Sequence, residues 1–100
     1  MTLPRLAFIA AAVAGLAGAA PADARTAVFY TAELSQPTEQ SRAIAGGVAW
    51  SCKGTTCIAA RGTSRPLRVC RELQREVGAI ASFTAKGKTL DADKLASCNG

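Results

Sequence analysis

The chain has no histidine, one tryptophan, one tyrosine and three phenylalanines in its 100 residues. Without histidine, a Ser-His or Cys-His nucleophile pair cannot be assembled. The same absence removes the commonest zinc ligand. Acidic residues are scarce as well, 7 against 12 lysines and arginines, so the formal net charge is +5. Long apolar runs are missing except near the start, where Leu6–Ala22 carries no charge but consists mostly of alanine and glycine. That stretch is shorter than the roughly 20 strongly apolar residues that a helical membrane span needs. These shortages exclude a multidomain enzyme, a histidine-based catalytic site and a membrane-spanning channel.

The opening segment instead has the three parts of a secretory signal peptide. Arg5 supplies the positive start, Leu6–Ala20 the apolar middle, and Ala22-Asp23-Ala24 a small-residue cleavage site. Pro21 disfavours cleavage directly after Ala20. The expectation is a signal over residues 1–24 and one domain over 25–100, exported to the periplasm or secreted, with no transmembrane span in the mature form. Of the 49 apolar residues, 17 lie in the leader. Among the 32 that remain, 16 are alanine or cysteine, which leaves 16 large apolar side chains for a core. So thin a core needs staples.

All four cysteines, Cys52, Cys57, Cys70 and Cys98, lie in the mature part. An even number in a short exported chain reads as a disulfide framework. The spacing C-x4-C-x12-C-x27-C lacks the paired C-x2-C knuckles of a zinc site and the C-x-x-C of a redox dithiol. Neither a metal nor any other cofactor is expected. Four cysteines allow three pairings; the favoured one is Cys52 with Cys57 and Cys70 with Cys98. Its basis is a tight hairpin over Trp50–Cys57, with Gly54 in the bend, which brings the close pair together.

The mature chain is read as β-β-β-α-β-α. Thr26–Leu34 alternates as a strand, and Arg42–Ser51 reads as a second with Ile44, Val48 and Trp50 on one face. Gly46-Gly47 is taken as a bulge or bend within it. Cys57–Ala60 returns as a third strand. Ser64 is the expected N-cap of a helix with Pro66 in its first turn, running to Val77 with Gly78 after it. Leu67, Val69, Cys70, Leu73 and Val77 cluster on one face of that helix. Ala79–Ala85 is a further strand, and Asp91 caps a short helix reaching Cys98. The predicted fold is a small α+β domain, a mainly antiparallel sheet of three to four strands with two helices, stapled by disulfides.

Trp50-Ser51-Cys52 with Gly54 and Cys57, Gly62–Pro66, Cys70, Phe83, and Leu90-Asp91-Ala92 through Cys98-Asn99 together carry a likeness. The chain resembles a group of short exported alphaproteobacterial proteins with four cysteines and no assigned function. The resemblance implies export and a shared cysteine framework, and lends no catalytic residues.

Chemistry-bearing clusters are few. Glu72 and Glu76 stand at i, i+4, and Asp91 lies near Asp93, but both pairs sit in polar surroundings with arginines or a cap role beside them. A small hydrolase is therefore the weaker reading, and no catalytic residue is assigned. Nucleic acid is not an expected partner, because Phe29, Tyr30, Trp50 and Phe83 are not interleaved with the basic residues. What stands out is Arg61, Arg65, Arg68, Arg71 and Arg75, at steps of 4, 3, 3 and 4. On a helix the last four fall within a sector of about 120° opposite the apolar face. Glu72 and Glu76 can offset part of that charge, which is the solvated-face reading. Against it, three arginines crowd the helix start, where the dipole is already positive. The sequence thus points to a non-enzymatic structural or interaction domain of the cell envelope. Its candidate surface is an arginine-lined helix facing an anionic envelope component or an acidic protein.

Overall fold

The computed structural model describes residues 27–100, so the expected signal over residues 1–24 lies outside the described residues. Strand β1 (Tyr30–Leu34) alternates buried and half-buried positions, as a period of two requires. It sits inside a six-stranded antiparallel sheet together with β2 (Arg42–Ala45), β3 (Val48–Lys53), β4 (Thr56–Ala59), β5 (Ile80–Ala85) and β6 (Lys88–Thr89). The strand order is β2-β3-β4-β1-β5-β6. Both β4 and β5 run antiparallel to β1 and hence parallel to each other. The link between them must cross over the sheet, and helix α1 (Pro66–Val77) makes that crossing. Helix α2 (Ala92–Asn99) follows β6.

Six strands replace the expected three to four, because two glycine-bearing segments turn the chain back. Gly46 and Gly47 have φ of 65° and 80°. They form a two-residue hairpin loop rather than a bulge, and they split Arg42–Ser51 into β2 and β3. Lys86 and Gly87, with φ of 52° and 79°, do the same between β5 and β6. The hairpin also moves Ile44. In one continuous strand it would share a face with Val48 and Trp50; in the hairpin Ala43 pairs with Trp50 and Ala45 with Val48. Ala43 and Ala45 are therefore buried, and Ile44 is 71% exposed on the opposite face.

The core lies between the sheet and the helices. Tyr30, Trp50 and Phe83, from β1, β3 and β5, form an aromatic cluster with ring centroids 5.8–6.1 Å apart. The Trp50 indole donates to the Ala45 carbonyl at 3.1 Å. Val69, Cys70 and Leu73 of α1 and Cys98 of α2 close the cluster from above. No charged side chain is buried among the described residues.

Helix ends follow two different solutions. Asp91 caps α2, its carboxylate accepting from the Lys94 N–H at 2.9 Å. At α1 the cap position falls on Arg65, not Ser64, and no side chain bonds the first turn. Pro66 fixes this shift, since its ring presets the first helical residue and holds its predecessor extended, with ψ of 147°. Asn99 docks α2 on β5, accepting from Ile80 N–H and donating to Ile80 C=O, both at 2.8 Å.

Candidate anion-binding face

Helix α1 packs because Leu67, Val69, Cys70, Leu73 and Val77 recur at helical spacing and meet the sheet. That packing dictates where the arginines go. Arg65, Arg68, Arg71 and Arg75 emerge on the outer side, and all four line one groove of about 680 Å³. Thr63 and Ser64 complete it at the helix start, with Leu67 and Glu72 along its wall. Arg61 does not join them. Its guanidinium stands over the Phe29 ring, 5.6 Å from the centroid, a cation–π contact. It lines a neighbouring cleft with Phe29, Tyr30 and Gly62. Thr63 and Ser64 border both clefts, so the two meet at the start of α1.

The charge of the groove is little compensated. Arg68 Nε donates to Glu72 Oε2 at 3.0 Å, the one salt bridge among the described residues. Glu72 Oε1 accepts from the Gly46 N–H, also at 3.0 Å. The hydrogen bond from Arg68, then the one from Gly46, holds the Glu72 carboxyl below the usual carboxylate range. Glu72 is thus an ionised tie between α1 and the β2–β3 turn. Glu76 does not stand beside it in one site: it lines a different cleft, with Gln40, Arg42 and Trp50. Four guanidiniums with one paired carboxylate form a surface suited to oxyanions, which arginine binds through its planar fork.

The cysteines form two buried bridges, Cys52–Cys57 across the β3–β4 hairpin and Cys70–Cys98 between α1 and α2. No cysteine is free. No group of three His, Cys, Asp or Glu among the described residues could hold a metal ion. No described helix is long and apolar enough to cross a membrane.

Three features of this region escape sequence reasoning. The Arg61–Phe29 contact joins residues 32 positions apart, the Glu72–Gly46 bond 26 apart, and burial of Tyr30 depends on strands brought in from both sides. Periodicity reports which face a residue takes, not what meets it there. No curated protein and no solved structure matches the chain. The sequence model of a family of unknown function (DUF8200) matches residues 9–100, and this four-cysteine chain belongs to that family.

Proposed function

We propose that this chain is an exported, non-enzymatic interaction domain of the cell envelope, periplasmic or secreted, that docks an anionic envelope component through the arginine groove of α1. Two disulfides with no free thiol fit an oxidising, extracytoplasmic compartment. The observation that carries the docking reading is the groove itself, where Arg65, Arg68, Arg71 and Arg75 converge and only Arg68 meets a carboxylate. The non-enzymatic reading is supported by the carboxylates, since Glu72 is bound by Arg68 and Gly46, and Asp91 caps α2. An acidic protein is the alternative partner, since its carboxylates would meet the same forks.

The test uses the oxidised chain and isolated envelopes. Binding weakens as salt rises through the physiological range, where the screening length is about 8 Å. The double charge reversal Arg71→Glu and Arg75→Glu abolishes binding and leaves the fold intact, because neither arginine holds a carboxylate partner. These positions are cleaner than Arg65 and Arg68, since Arg68 is tied to Glu72. Protease treatment of the envelopes separates the two partners: retained binding identifies a lipid or polysaccharide, and lost binding an acidic protein. Normal binding by the double variant would leave α1 a merely solvated face.

A further inference from the structure

We propose that the uncovered face of the sheet docks on the surface of a bilayer that carries anionic phospholipid. Both helices pack on the other face, over Tyr30, Trp50 and Phe83. Strand alternation turns Arg42, Ile44, Ala49, Ser51, Lys53 and Ile58 away from that core. Ile44 is 71% exposed, Val28 52% and Ile58 38%, the three large apolar side chains left open to solvent among the described residues. They form one patch. Ile44 stands opposite Ala49, and Ser51 opposite Ile58. Val28, Ala49, Ser51 and Ile58 then line a single cleft of about 430 Å³.

Cations surround the patch. Arg42 and Lys53 occupy outward strand positions, and Arg61 lines the wall of the cleft. Glu33 is the one carboxylate at an outward position of β1, β2, β3 or β4, and it accepts from the Thr56 hydroxyl. None of these charged groups joins the one salt bridge among the described residues. Aliphatic side chains rimmed by unpaired cations match the two contributions to interfacial binding, buried apolar area and attraction to anionic headgroups. A second copy fits worse. Face to face, the same three cations would oppose one another. Three aliphatic side chains also supply little of the roughly 800 Å² per partner that a stable protein interface buries.

The described chain starts on this face, because Ala27 and Val28 line the same cleft. Ahead of them runs the longest uncharged stretch of the sequence, Leu6–Ala22. On the export reading, on which this step rests, a signal held in the membrane up to Ala24 leaves Arg25 and Thr26 as the link, about 10 Å of extended chain. The face is then beside a lipid surface when the chain is released. Cleavage also places Arg25 and a new amino group three residues from Val28, which adds positive charge at the rim.

The oxidised chain recovered after export is mixed with vesicles of phosphatidylcholine, with or without phosphatidylglycerol, and binding is read by co-sedimentation. So few groups bind less tightly than a single myristoyl chain, whose association constant is about 10⁴ M⁻¹. The lipid is therefore used at millimolar concentration, and envelopes assayed well below that read the α1 groove alone. Binding roughly tenfold tighter to the anionic vesicles is expected, weakening as salt rises. Ile44→Thr with Ile58→Thr weakens it about tenfold. Both positions are exposed and threonine keeps the β-branch, so the unfolding midpoint stays near wild type. Arg71→Glu with Arg75→Glu leaves vesicle binding within about threefold, because α1 lies across the sheet, beyond a screening length of about 8 Å. In Ile44→Trp, the added indole emission shifts to the blue on binding and is quenched by brominated lipid, while buried Trp50 is quenched little. Vesicle binding lost in the arginine variant but kept in the isoleucine one would move lipid to the α1 groove and overturn the sheet-face site. No vesicle binding, or no quenching at position 44, overturns it as well. A blue shift without vesicles that grows with protein concentration overturns it in favour of a second copy. Intact mass showing residues 1–24 retained overturns the export reading, while quenching at position 44 still decides this face.

Discussion

Glu72 is the residue with the most to hold. One oxygen takes Arg68 on its own helix, and the other takes the Gly46 N–H across to the β2–β3 turn. Both bonds favour the ionised carboxyl and lower its pKa in the folded state. The sign follows directly: a depressed folded pKa contributes stability that is present above the unfolded value, about 4.3, and is lost as pH falls through the folded value. Glu72→Gln is expected to lower stability at neutral pH and to flatten the loss of stability on acidification below that range. Urea midpoints measured at a series of pH values check this; parallel curves for the two proteins would show that Glu72 does not contribute. The helical pair with Arg68 was legible from the i, i+4 spacing. The bond to Gly46 was not, because nothing local brings position 72 to a turn 26 residues upstream.

The β2–β3 hairpin and α1 form the contact on which the groove is built. Gly46 sits in its turn with φ of 65°, and a Cβ there would come within 2.8–3.0 Å of Val69, including its Cα. Gly47 has φ of 80° but open space around its missing Cβ. The two glycines therefore do different things. Gly47→Ala is expected to cost about 1–2 kcal/mol, the left-handed penalty alone. Gly46→Ala adds a clash with helix backbone and is expected to cost about 3 kcal/mol or more. Equilibrium denaturation of the two variants reads the difference directly, and equal losses would mean that α1 yields easily at this contact. From sequence, the glycine pair signalled an interruption but not its kind. A bulge and a hairpin use the same residues, and only the pairing of Ala43 with Trp50 chooses between them.

At the scale of the molecule, only 16 large apolar residues follow residue 24, and Val28, Ile44 and Ile58 among them are exposed, so covalent bonds must reinforce a thin core. The two bridges are not equivalent in place. Cys52–Cys57 joins neighbouring strands already paired by the sheet, at directly opposite positions of the β3–β4 register. Cys70–Cys98 ties α2, at the end of the chain, to the middle of α1. Chain entropy assigns the short loop about 2 kcal/mol and the long one about 3.5 kcal/mol. Replacing Cys70 and Cys98 with alanine should therefore lower the unfolding midpoint more than replacing Cys52 and Cys57. Thermal unfolding of both double variants, with and without reductant, provides the comparison. If full reduction left the wild-type midpoint unchanged, the core would be sufficient without either bridge.

Local chemistry alone determined the α+β class, the end of α1 at Val77 with Pro66 in its first turn, its apolar face, the Asp91 cap and the clustering of four arginines on one side. Each depends on residues within one or two turns of each other, where spacing translates directly into direction. Tertiary structure decided the rest. It separated Arg61 from the other arginines by seating it over Phe29, turned Ile44 outward and buried Tyr30 between neighbouring strands. These outcomes depend on which strand pairs with which, and that pairing is settled by burial and register across the whole sheet rather than by any short stretch of chain.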